Sequence, residues 1–171
     1  VAGAVGVYVT TDGFGWGSED VSALFNANQI QNTATAFYLE HQSGYALTST
    51  LEGNTVGSNT TAVVLAGDGT GTATVKGNTL VTHTTVFSQT SGTLLAYANN
   101  ITNFTTGVNT TGGPLNAMHN WWGASDPAGV GDTDAYDFRL GAPVVSYADG
   151  TGTITLADAT AGGNASFSGA G

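Results

Sequence analysis

The frame apolar-x-x-Asn-x-apolar recurs five times in this chain. It appears as Phe25-x-x-Asn28-x-Ile30, Leu51-x-x-Asn54-x-Val56, Val75-x-x-Asn78-x-Leu80, Ala96-x-x-Asn99-x-Ile101 and Ala117-x-x-Asn120-x-Trp122. The steps between the asparagines are 26, 24, 21 and 21 residues. A second short run follows each of the first four: Ala36-Phe37-Tyr38-Leu39, Ala62-Val63-Val64-Leu65, Thr85-Val86-Phe87 and Gly107-Val108. Gly6-Val7-Tyr8-Val9 supplies the same run ahead of the first asparagine. Two or three short strands per period of just over twenty residues describe a coil of parallel strands, each turn resting on the one before.

The flanks of the repeat stack as strand alternation requires. Ala23, Ser49, Ala73, Leu94 and Leu115 form one inward column, and Phe25, Leu51, Val75, Ala96 and Ala117 the next. Ser22, Thr48, Thr72 and Thr93 face outward, as do Leu24, Thr50, Thr74, Leu95 and Asn116. An asparagine at a fixed corner is expected to take the left-handed conformation and to bond its neighbours above and below, so Asn28, Asn54, Asn78, Asn99 and Asn120 form a ladder. Thr48-Ser49-Thr50 and Thr72-Ala73-Thr74 lie in register, yet Leu24 and Leu95 interrupt the array after two rungs, too soon for an ice-binding face.

Composition supports the same class. Only 14 of 171 residues are charged (Lys+Arg 2, Asp+Glu 12), so Thr, Asn, Ser and Gly must make the surface polar. Thr favours strands while Gly and Asn favour tight corners, and no dozen residues keep helical apolar spacing. Net charge −10 with one Lys and one Arg leaves nothing to neutralise phosphates, which excludes nucleic acid and anionic membranes as partners. The absence of Cys excludes disulfide, CxxC and thiolate-metal chemistry. No apolar run suits a membrane span or a signal peptide, and a chain opening on Val1-Ala2-Gly3-Ala4 reads as processed or excised from a longer one.

The rungs, with Asn120-Trp121-Trp122-Gly123 and the following Asp126-Pro127, resemble right-handed parallel β-helix proteins of the pectate-lyase-like superfamily. They are similar in particular to bacterial and archaeal surface proteins whose last full rung ends in an NWWG segment. The resemblance implies an all-β, right-handed parallel β-helix of about five rungs and an extracellular or cell-surface location. It implies no particular activity, because the superfamily holds lyases, hydrolases, adhesins and inert scaffolds. The chain divides into rungs over 1–123, an Asp-rich loop and closing strand over 124–149, and a strand with a Gly/Ala-rich tail over 150–171. Within the last segment Thr153-Ile154-Thr155-Leu156 alternates as a strand.

Few residues offer chemistry. A polysaccharide lyase needs a basic residue, and Lys76 and Arg139 are the whole supply. Lys76 stands at the outward position where the preceding rung has Glu52, which predicts an exposed ion pair. Asp12, Glu40 and Asp68 follow the same strand in successive rungs and form the alternative catalytic set for a glycoside hydrolase. With rungs about 4.8 Å apart, Asp12 and Asp68 would stand about 10 Å apart, near the upper limit for an inverting pair. Asp12-Gly13 and Asp68-Gly69 are also ordinary turn dipeptides, and the turn reading is preferred.

Asp126, Asp132, Asp134 and Asp137 supply hard oxygen ligands suited to Ca²⁺, although they do not match an EF-hand loop. Trp122 is expected to plug the last rung. Trp121 and Trp16 remain for sugar contact, and His41, His83 and His119 are dispersed without metal spacing. Asn-x-Ser/Thr sequons occur at Asn59, Asn100, Asn103, Asn109 and Asn164, where glycosylation is permitted by the motif.

A rung that begins by about Val5 with no helix before it presents a backbone edge, which an upstream domain or another copy must cover. The expected partner is a second copy, joined head to tail through the surplus strand Thr153–Leu156. The function expected is therefore non-catalytic: the β-helix unit of a filament, sheath, surface layer or adhesin stalk. The alternative is a carbohydrate-active or carbohydrate-binding β-helix acting on extracellular, cell-surface polysaccharide.

Overall fold

The computed structural model describes residues 3–11, 19–117, 120–123, 129–130, 146–147, 153–157 and 164–168. The repeat folds into a right-handed parallel β-solenoid of about four turns, the hand that parallel crossovers take. One sheet stacks β2 (Val21–Asn26), β5 (Ala46–Glu52), β7 (Thr70–Lys76), β9 (Thr93–Tyr97) and β11 (Leu115–Asn116). The other stacks β1 (Val5–Thr10), β4 (Thr35–His41), β6 (Thr55–Gly67), β8 (Thr79–Gln89) and β10 (Asn100–Thr110), with β3 (Gln29–Gln31) paired to the first part of β6. Every one of these pairings is parallel.

The register follows the sequence columns residue by residue. Ala23 pairs with Ser49, Ser49 with Ala73, Ala73 with Leu94, and Leu94 with Leu115. Val7, Phe37, Val63, Phe87 and Val108 form the matching column in the second sheet. Inside the stack these positions are sealed: Phe37, Leu51, Val63, Val75, Phe87 and Leu94 are all at most 1% exposed. Slipping a strand by one residue would turn the column outward, so burial itself pins the register. Lys76 Nζ lies 3.3 Å from Glu52 Oε1, the expected pair across adjacent rungs, worth roughly 0–1 kcal/mol at this exposure.

The asparagine ladder forms with a different division of labour at the corner. The left-handed residue is the one before each of the first four asparagines: Ala27 (φ 55°), Gly53 (63°), Gly77 (63°) and Ala98 (56°). The asparagine is freed to turn its side chain inward. Asn54 Oδ1 accepts from both the backbone N–H and Nδ2 of Asn28, at 2.9 and 3.0 Å. The same two bonds run from Asn54 to Asn78, Asn78 to Asn99, and Asn99 to Asn120. Each Nδ2 beyond the first also reaches a carbonyl of the preceding rung, as Asn78 does to Leu51 at 2.9 Å. Asn54, Asn78, Asn99 and Asn120 are thereby buried without an orphaned amide group.

The described part of the last rung is short. β11 is two residues long, Trp121 bridges to Asn100, and Gly129 and Val130 accept from the backbone N–H groups of Gly107 and Val108. Trp122 fills the end, 1% exposed, with its ring edge-on to Phe104 at 5.5 Å and to Phe87 at 6.2 Å between centroids.

The C-terminal segment departs from expectation. The strand expected at Thr153–Leu156 is not surplus: as β13 (Thr153–Ala157) it is the middle of an antiparallel sheet, between β12 (Ser146–Tyr147) and β14 (Asn164–Ser168). β14 lies in what reads as a small-residue tail. Its alternation of Ala165 and Phe167 with Asn164, Ser166 and Ser168 is a period-2 pattern carried by too few large side chains to stand out.

Candidate functional site

A second bend lies between β3 and β4 and recurs within β6, β8 and β10. The residues there are Asn32 (φ 59°), Ser58 (56°), Thr82 (63°) and Asn103 (55°), four residues after each ladder asparagine. A left-handed non-glycine residue costs about 1–2 kcal/mol, and a β-branched Thr there is an outlier. The rungs above and below hold the bend in place through continuous pairing of the strands on either side. The bend folds the outer surface into a shallow groove of about 660 Å³ along the solenoid axis. One wall is the row of bend residues, all exposed. Thr60, Thr84 and Thr105 form the other, and Thr33, Asn59 and His83 lie between them.

The floor is nearly closed to solvent, with Asn59 and His83 each 4% exposed. Asn59 Oδ1 accepts from the backbone N–H of Thr33 at 2.8 Å and from its hydroxyl at 2.9 Å. His83 Nδ1 lies 3.3 Å from the Asn59 carbonyl, which can only accept, so the proton sits on Nδ1. Asn59 Nδ2 and His83 Nε2 find no protein partner among the described residues. Burial pushes the His83 pKa below its ordinary value, against a smaller opposing effect of nearby backbone carbonyls. The groove is thus neutral, offering hydroxyls and amides but no charge.

The His83 shift carries a sign. A histidine whose folded pKa is depressed binds fewer protons folded than unfolded. Its stability contribution is whole above the unfolded value of about 6.5 and is lost as pH falls toward and through the folded value. We expect His83→Phe, which copies Phe104 of the next rung, to lessen the drop in urea midpoint between about pH 7.5 and about pH 5. An unchanged drop would show that His83 is not the titrating group.

At the third corner a serine and a histidine meet. Ser91 Oγ lies 3.1 Å from His41 Nε2 and donates to the Gly67 carbonyl at 2.7 Å. His41 Nδ1 accepts the backbone N–H of Gly69 at 3.1 Å, so its proton is on Nε2 and points at Ser91. A nucleophile–base pair needs the reverse arrangement, with Nε2 free and Nδ1–H held by a carboxylate. His41 is fully buried, and a side chain at Gly71 would place Cβ 2.2 Å from its Cδ2. The group is a packed corner, and it has the wrong tautomer for catalysis.

Within the alternative catalytic set, Glu40 does not line up with Asp68. Glu40 pairs with Ala66 and Thr10, which puts it two residues short of Asp68 along the strand. Its carboxylate accepts from the Tyr8 hydroxyl, and that bond, followed by burial, raises the Tyr8 pKa. Asp68 Oδ1 accepts the backbone N–H of Ser43 in the preceding rung at 2.7 Å, a bond that ties two corners together. Asp12 and Trp16 lie outside the described residues, as do Asp126, Asp132, Asp134, Asp137, Arg139 and His119. Among the described residues no group of three His, Cys, Asp or Glu could hold a metal ion.

The sequons separate by exposure. Asn100, Asn103 and Asn109 are exposed along β10. Asn59 is closed to glycosylation in the folded chain, because its side chain forms the groove floor. Asn164 begins β14. The groove itself was not read from the sequence. Its one legible trace is the threonine six residues after Asn54, Asn78 and Asn99, which gives the Thr60, Thr84 and Thr105 wall. No protein-family model, curated protein or solved structure matches the chain.

Proposed function

We propose that this chain is a non-catalytic, extracellular structural protein: the β-helix unit of a filament, sheath, surface layer or adhesin stalk that associates head to tail. The carrying observation is the first rung. Columns that are 0–1% exposed within the stack become only partly buried at Val7, Val9, Val21, Phe25 and Ile30, as sheet columns do where one more rung would fit. The NWWG segment adds the resemblance to pectate-lyase-like surface proteins, and the Ser–His tautomer and the displaced Glu40 argue against catalysis. The same reading gives the Asp126, Asp132, Asp134 and Asp137 loop to Ca²⁺ as an ordering ion. Electron microscopy of the purified full chain at rising concentration is expected to show fibres of constant width. Monomers at every concentration would sink the proposal.

The neutral groove favours a second reading, binding of an uncharged, hydroxyl-rich polysaccharide through the Thr60, Thr84 and Thr105 wall. A hydrolase would release reducing sugar from a glycan panel and lose that activity in Asp68→Asn. We expect no release from either protein, and equal retention of a neutral glycan by both, because Asp68 does not line the groove.

A further inference from the structure

The first rung carries a direction as well as an exposed edge. Between ladder members the bonds run one way: the Nδ2 groups of Asn28, Asn54, Asn78 and Asn99 each donate to the Oδ1 of the next asparagine toward the C-terminal end. Asn28 is the first of them, and no described residue donates to its Oδ1. Beside it runs β2, paired on one edge with β5 and on the other with no described strand. Its Val21, Ala23 and Phe25 are half-buried where Leu47, Ser49 and Leu51 beneath them are 1% exposed, and Leu24 is 65% exposed. This end calls for a strand with hydrogen-bond donors and a few apolar residues at alternate positions.

A copy of the same chain carries such a strand. β14 pairs with β13 on one edge, and no described strand takes the other. It is five residues long against six for β2. Its sequence alternates Ala165 and Phe167 with polar residues, and it opens on Asn164. Neither strand contains a charged residue, so the net charge of −10 does not oppose the contact locally. Two β2 edges facing each other about a two-fold axis would leave the free edge of β14 unpaired, whereas β14 on β2 satisfies both edges at once.

We propose that β14 of one copy adds as an edge strand alongside β2 of a second copy, extending the sheet by strand addition and giving the assembly its polarity. The inference rests on the structural reading above. The contact is heterologous, β14 to β2, so copies added in one direction, each giving β14 to the next, propagate as a fibre.

The chain contains no Cys, so single cysteines report the contact cleanly. Full-length Leu24→Cys and Ser166→Cys proteins, mixed under mild oxidation, should form the mixed disulfide dimer at least about tenfold faster than either forms its own. Leu24 is exposed, so its substitution spares the core. Leu24→Cys protein self-linking as fast as the mixture would mean β2 meets β2, and overturns the proposal. Fibres without the mixed cross-link overturn it too, while leaving the structural function standing. Absence of both fibres and cross-link defeats both. As a second variant, Ser166→Pro removes one donor from β14 and should abolish fibres without moving the urea midpoint of the solenoid. Fibres that persist unchanged in Ser166→Pro overturn the strand addition.

Discussion

Asn78→Ala should cost the folded chain about 3–4 kcal/mol, because it leaves at least two buried polar groups unsatisfied at about 1–3 kcal/mol each. The backbone N–H and Nδ2 of Asn54 both end on Asn78 Oδ1, at 2.8 and 2.9 Å. Without it that N–H is buried with no acceptor, and the Leu51 carbonyl loses its 2.9 Å donor. The damage falls in the middle of the stack, where Asn78 is 2% exposed and water cannot substitute. Asn28→Ala removes the same atoms at the solvated end, where Asn54 Oδ1 keeps the Asn28 backbone N–H, and should cost under about 1 kcal/mol. Urea denaturation of the two variants measures the contrast. Equal losses of stability would mean that the ladder is a by-product of strand stacking and adds no stability of its own.

Trp122→Ala should be comparably damaging, at about 3–5 kcal/mol. The indole is 1% exposed and meets two aromatic rings edge-on. A Cβ at Gly107 would approach its Cζ3 to 2.8 Å, so the pocket is shaped to the ring and collapses poorly around a void. Because each rung supports only its neighbours, the damage should begin at the C-terminal end. Amide exchange in β9 and β10 should accelerate more than in β4 and β5, alongside a lowered urea midpoint followed by circular dichroism. Uniform acceleration along the stack would show that Trp122 stabilises the solenoid as one cooperative unit and is no end plug.

The architecture was legible because a solenoid makes its long-range pairings periodic. Pairs such as Ser49 with Ala73 and Thr50 with Thr74 could be aligned from the spacing of the asparagines alone, and the structure pairs them so. The site was less legible. Ala27, Ala98, Ser58 and Thr82 carry no local signal for positive φ, since such a conformation is imposed by the strands on either side and runs against the residue's own preference. The groove depends on those bends, and the regular spacing of Thr60, Thr84 and Thr105 is its one trace in the sequence. Glu40 and Asp68 appeared aligned because both follow the same run of residues. A two-residue difference in where that strand ends moves one carboxylate away from the other.

The sequence by itself determined the repeat, the parallel stacking, the inward columns and the shortage of catalytic groups, all of which follow from periodicity and residue type. Tertiary structure alone decided which corner residues turn left-handed, which nitrogen of His41 and His83 carries the proton, and that Thr153–Ala157 is already paired. Those outcomes depend on what a neighbouring rung or strand offers at about 3 Å, a distance at which one carbonyl in place of one N–H reverses the chemistry.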